Sequence, residues 1–299
     1  MSTSELARPP AHPAHAGAAA AGVLDRATPV SSRFLRSELS LVFRRPRNLV
    51  ILAVLAAAPV LLGVVLKVAG PGNGGGGPAF LSHITDNGLF LAFTALTVML
   101  PLFLPLAVAV ASGEAVAGEA ATGTLRTLLV VPVSRTRLLA VKYVGILAYA
   151  LVGVLVVALM GVLVGAALFP SGPVTLLSGS AVPYVDALGR ALLVALYVAA
   201  MLAGVGALGL FLSTLTEVPL AAMAATAIIT VVVEILDAVP QLHAIQPYLF
   251  THQWLAFADL LRTPIDAHAM VTGLLTQAAY VAILATASWA RLTTKDISS

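Results

Sequence analysis

Residues 49–68 read LVILAVLAAAPVLLGVVLKV, an apolar run whose single charge, Lys67, sits beside its last residue. A helix rises about 1.5 Å per residue, so roughly 20 such residues cross the ~30 Å hydrocarbon core of a bilayer. Outward from this run, charge, Pro and Gly divide the chain into five more of the kind: Leu89–Ser112, Leu138–Phe169, Val185–Leu212, Val218–Leu236 and Met270–Ala290. The expected fold is an all-α integral membrane protein with six transmembrane helices, its membrane domain covering residues 48–293. The third and fourth runs exceed what a bilayer requires, so each is expected to tilt or to project at one end. Pro59 in the first run, and Pro101 with Pro105 in the second, are expected to kink their helices, because proline removes a backbone donor and clashes with the preceding turn.

The composition agrees with this reading. Of 299 residues 60% are hydrophobic and only 10% charged, with a mean hydropathy of +1.01, too few charges to cover a water-facing surface. Aromatics are sparse at 6%, and Ala, Val, Leu and Gly carry the apolar count, as suits helices that approach closely inside lipid. Cysteine is absent, which excludes disulfides, thiolate zinc sites and iron–sulfur clusters. The net charge of +3 does not point to nucleic acid, because the basic residues flank the hydrophobic runs.

Those basic residues set an expected orientation. Of the 16, seven precede the first run (Arg8, Arg26, Arg33, Arg36, Arg44, Arg45, Arg47), Arg126, Arg135, Arg137 and Lys142 lie near the second loop, and Arg291 and Lys295 close the chain. Only Lys67, Arg190 and Arg262 fall toward the other side. The positive-inside rule then makes both termini and the second loop cytoplasmic in a multi-pass protein of the inner (cytoplasmic) membrane. Residues 1–30 form no signal peptide and read as a disordered Ala/Pro/His tail, and 294–299 as a short cytoplasmic tail. Residues 31–47 are amphipathic, with Phe34, Leu35, Leu39, Val42 and Phe43 on one face and Arg33, Arg36, Ser37, Ser40 and Arg44 on the other. An interface helix stopped by Pro46 is expected there, or else a merely basic flank. The glycine-rich stretch around Gly70–Gly77 reads as a connector. The last external segment, 238–269, is rich enough in Trp, Tyr, Phe and Leu to form short helices at the outer interface, and is a candidate external gate.

The segment GEAVAGEAATGTLRTLLVVPVSRTRLLAVK, residues 113–142, carries the most specific pattern. It is too polar for the membrane interior, and its acidic start followed by Pro132 suggests a short cytoplasmic helix within a loop at 113–137. Glu119, Gly123, Thr124, Leu125, Leu128, Leu129, Pro132, Val133, Ser134, Arg135 and Lys142 resemble the loop between spans two and three of ABC-transporter permeases of the exporter-related type 2 class. The resemblance extends to the six-span plan, the amphipathic leader and the external segment before span six. It implies that the loop is a coupling helix resting on a separate P-loop ATPase, present in two copies, and that a second permease copy completes the transporter. The coupling residues it implies are Glu114, Glu119, Thr122, Gly123, Thr124, Leu125, Arg126, Leu128, Pro132, Ser134 and Arg135. The solvated alternative is that the loop's basic residues only set topology.

No catalytic, cofactor-binding or metal site is expected on this chain. It has no G-x-x-x-x-G-K-[ST] run and no G-x-S-x-G, so ATP and magnesium would belong to the partner subunit. His83, His243, His252 and His268 lie on the predicted external side without paired metal-ligand spacing. Gly204, Gly206 and Gly209 spell G-x-G-x-x-G inside an apolar run with no preceding strand; like Gly161 and Gly165 they read as close helix packing. Glu234 and Asp237 share a helical face near the outer end of span five, either as a translocation or gate site or as residues of the wet interface. Asp186 and Arg190 are spaced for a local ion pair, and Lys67 for snorkelling to the outer surface. The function expected is a permease exporting a hydrophobic or amphipathic substrate. The alternatives are a membrane anchor that docks a cytoplasmic partner, and an ion-gradient-driven transporter.

Overall fold

The computed structural model describes residues 32–69, 87–121 and 135–294. The N-terminal tail, the glycine-rich connector, most of the second loop and residues 295–299 lie outside the described residues. The amphipathic leader is a helix, α1 (Ser32–Arg44), and Pro46 opens α2 (Pro46–Ala69). Proline suits that position, because the first turn of a helix has no partner for its N–H. Asn48 ties the corner by donating its side-chain N–H to the Val42 carbonyl at 2.8 Å. The helix then runs unbroken through Pro59.

Proline acts differently in the second run, which is two helices, α3 (Phe90–Met99) and α4 (Phe103–Gly113), bent by 56°. Pro101 sits in the break, as its missing donor and ring clash require, whereas Pro105 falls in the first turn of α4 where neither is costly. A short helix α5 (Ala117–Ala121) follows. The third run is α6 (Arg135–Leu168), 34 residues starting three before the predicted boundary. At about 1.5 Å per residue it exceeds the hydrocarbon thickness. A two-residue hairpin, β1 (Val174–Thr175) against β2 (Ala181–Val182), is the only strand pairing among the described residues.

The fourth run is also broken, into α7 (Tyr184–Met201) and α8 (Ala203–Leu215), here without proline. Then come α9 (Pro219–Asp237), three 3-10 turns at 240–242, 246–248 and 256–261, and α10 (His268–Thr294). Five helical stretches are long and apolar enough to cross a membrane, and the bent α3–α4 pair meets the same test when taken together. The protein is a mostly helical membrane protein.

The two ends of the bundle are distinguished below by a residue at each, Glu114 and Asp237. Successive stretches alternate in direction, so α1, the start of α6 and the close of α10 gather at the Glu114 end. The hairpin and the 240–262 segment lie at the Asp237 end. The core runs through α3, α4, α6, α7 and α8, with α7–α8 the most enclosed stretch and α10 the most peripheral. Small residues set its closest contacts. A Cβ on Gly165 would fall 2.0 Å from the Gly88 carbonyl oxygen, and one on Gly161 2.5 Å from the Ala92 Cα, so α3 and α6 touch backbone to backbone. Gly206 and Gly209 likewise admit Ile146 and Ser112, so this G-x-G-x-x-G is a packing feature.

Candidate functional site

The ionic residues of the Glu114 end form a connected set. Glu114, in the turn after α4, is bridged by both Arg45 and Arg47 at the α1–α2 corner. Lys142, one face of α6 and only 2% exposed, places its ammonium 2.5 Å from Glu119 of α5 and 3.4 Å from Glu38 of α1. A lysine taken out of water to this depth stays charged only if carboxylates replace its hydration, and here two do. The leader helix, the post-α4 turn and α6 are thereby held by charge at one point. Beneath it, Ser213 of α8 accepts the Val116 and Ala117 N–H groups at 3.0 and 2.8 Å and donates to the Gly113 carbonyl at 2.8 Å. One hydroxyl thus satisfies three backbone groups of the turn that launches α5.

Arg135, at the first residue of α6, donates to the Leu292 and Thr293 carbonyls at 2.5 and 3.0 Å, and the Trp289 indole donates to Thr136 at 3.1 Å. These bonds fasten the last turn of α10, whose carbonyls have no helical partners, to the start of α6. Of the predicted coupling residues, Glu114, Glu119 and Arg135 stand in this assembly, while Thr122, Gly123, Thr124, Leu125, Arg126, Leu128, Pro132 and Ser134 lie outside the described residues. Glu38 and Ser213 were not singled out by the sequence, because each meets its partners about a hundred residues away. The α1 helix is also less of a surface element than its pattern suggests: Val42 and Phe43 pack on the core and Phe43 stands 5.9 Å from the Tyr149 ring.

The Asp237 end is built otherwise. Side chains of two helices, α7 and α10, reach the backbone of the 240–262 segment: Gln277 donates to the Phe250 carbonyl, Tyr197 to Gln253 at 2.6 Å, Tyr280 to Tyr248 at 3.0 Å, and Arg190 to Leu260 and Arg262. Phe250, Trp254, Phe257, Leu260 and Leu261 are buried beneath it. The expected pair Asp186–Arg190 does not form, since Arg190 caps those carbonyls instead. Lys67 donates to the Leu168 carbonyl at 2.8 Å and lies over the Phe169 ring, so its cation closes the C-terminus of α6 rather than simply reaching for solvent. Asp237 pairs with His252 at 2.7 Å, and Glu234 lies one turn before it with Thr251 beside its carboxyl. Gln277 has a second role, accepting the Gly204 N–H at 3.1 Å just past the break between α7 and α8. Among the described residues no three His, Asp or Glu side chains gather to hold a metal ion.

Long apolar helices, two of them broken, with charge confined to the ends, define a polytopic helical membrane protein. The chain belongs to the family described as protein of unknown function (DUF2705), which matches residues 50–298. No curated protein matches it.

Proposed function

We propose that the chain is the permease subunit of an ATP-driven transporter of the exporter-related type 2 ABC class. In this reading it has six spans, the Glu114 end and both termini face the cytoplasm, and it lies in the inner membrane. The observation that carries it is the ion-pair set at the base of the 113–142 loop. Glu119 and Lys142, which bracket the Gly-Thr-Leu and Pro-Val-Ser-Arg steps, bond each other, and Lys142 also reaches Glu38 of the leader. A push on the loop by a docked ATPase would therefore move α1, α5 and α6 as one body rather than bend a tether.

ATP and magnesium reside on that ATPase, in two copies, and a second permease copy completes the pathway. The groove between α2 and the bend of α3–α4 supports a hydrophobic or amphipathic cargo: it has a volume of about 610 Å³ and its lining includes Val54, Leu61, Val98 and Phe103. The test is purification of the chain from its native membrane in mild detergent. An equimolar P-loop ATPase with ATP hydrolysis is the expected result, and a chain that purifies alone and inert overturns the reading. Within the intact complex, deletion of residues 132–135 is expected to leave insertion and ATPase activity in place while abolishing transport. Normal transport by this variant would remove the loop from the coupling path.

A further inference from the structure

At the Glu114 end, α6, α8 and α10 enclose a groove of about 480 Å³. Its floor is Leu139, Ala207, Leu210 and Ser288, all buried, and its rims are exposed residues of α6 and α10, including Ala140, Ala285 and Trp289. Four wall residues have hydroxyls, and each is already bonded within the protein. Thr286 donates to Ala282, Ser288 to Leu284 and Tyr143 to Ala203, while Thr136 accepts the Trp289 indole. The wall thus offers mainly carbon, which favours a ligand part that needs few hydrogen bonds. On helices long and apolar enough to cross a membrane, such a groove suits an alkyl chain.

The mouth has the opposite character. Arg135 adjoins Thr136 and donates to the last carbonyls of α10, whose helix dipole offsets only part of its charge. Arg291 is exposed, one turn beyond Ser288 on α10. Neither forms an ion pair among the described residues, in contrast to Arg45, Arg47 and Lys142 nearby, whose carboxylates are all in place. An apolar slot whose walls are continued along α6 and α10 by Arg135 and Arg291, neither paired with a carboxylate among the described residues, is complementary to an anionic amphiphile.

We propose that this groove binds one acyl chain of an anionic glycerophospholipid whose phosphate rests at Arg135 and Arg291. The site depends on membrane embedding alone and stands apart from the permease reading. Trp289 on its rim supplies the probe, for the chain has only two tryptophans and Trp254 is buried at the far end. The full chain, with and without Trp254→Phe, is reconstituted in vesicles containing phosphatidylglycerol or phosphatidylcholine brominated on the acyl chain. Brominated phosphatidylglycerol is expected to quench Trp289 at lower mole fraction than brominated phosphatidylcholine. Arg291→Gln, an exposed change outside the helix contacts, should weaken that preference by about five-fold, the effect of one arginine near an anionic surface. Ala285→Phe, which fills the groove from its exposed rim, should abolish it. Equal quenching by the two lipids in the unaltered chain, or a preference that survives both substitutions, would mean ordinary bilayer contact and overturn the proposal.

Discussion

At the Glu114 end cations meet carboxylates; at the Asp237 end they meet peptide carbonyls. Arg45, Arg47 and Lys142 find Glu114, Glu119 and Glu38, whereas Lys67 and Arg190 find Leu168, Leu260 and Arg262. The two arrangements do different work. A carbonyl bond completes the backbone where a helix or turn ends, so it holds one segment in place. A buried carboxylate–ammonium set joins elements from distant parts of the chain, and each member is stable there only because the others are. The first end is therefore expected to respond as a unit, and the second piece by piece. Arg135, bonded to the α10 carbonyls, and Asp237 with His252 are the exceptions that limit the rule.

The sharpest way to break this contrast is to remove its most buried member. Lys142→Met takes from Glu38 and Glu119 the buried ammonium they share, and loss of one partner from a buried pair costs about 3–5 kcal/mol. A large fall in the melting temperature of the detergent-purified chain is expected. Adding Glu38→Leu and Glu119→Leu should restore most of it, because an apolar replacement of the whole set removes the stranded charges. If Lys142→Met melts normally, the set is not a unit. Ser213→Ala comes next, at about 1–3 kcal/mol for stranding buried backbone groups. Its signature is local: hydrogen exchange at the Val116 and Ala117 amides should accelerate while α9 and α10 keep their protection.

Arg190→Met examines the other end. It strips hydrogen bonds from the Leu260 and Arg262 carbonyls at a half-buried site, for about 1–2 kcal/mol. Exchange should rise in 256–262 and stay unchanged at the Glu114 end; a spread to α5 or α1 would show that the ends are coupled.

The membrane helices were legible because lipid imposes one requirement, roughly 20 apolar residues, that a run such as 49–68 displays by itself. The break at Pro101 was legible for the same reason, since a missing donor acts on its own turn. The break at Leu202 was not: no proline marks it, and the Gly204 N–H is met by Gln277, more than seventy residues away. Lys142 was visible as a loop residue and a topology marker, yet nothing local shows that it is buried between two carboxylates. Glu38 falls four residues from both Phe34 and Val42, on the apolar face of its helix, which marks it for burial but does not name its partner until α6 is placed against it. Hydropathy reports how each residue meets its solvent, whereas these pairings report how two distant residues meet each other.

The smallest expected effect concerns the pair that least fits the contrast. His252 and Asp237 are close at 2.7 Å, but their side chains keep 31% and 20% exposure, so water screens the interaction and competes for both partners. A pair of this kind contributes about 0–1 kcal/mol. Asp237→Asn removes the charge and keeps the shape, and the backbone carbonyls of Asp237 and Val239 still accept from Gln246 at 2.7 and 3.1 Å. The melting temperature should therefore stay within about a degree or two of the unaltered chain, as a cost below ~0.5 kcal/mol implies for a protein of this size. A loss approaching that of Lys142→Met would make Asp237 and His252 the centre of a second ionic unit. The two ends would then differ in the number of their ion pairs and not in how they are held.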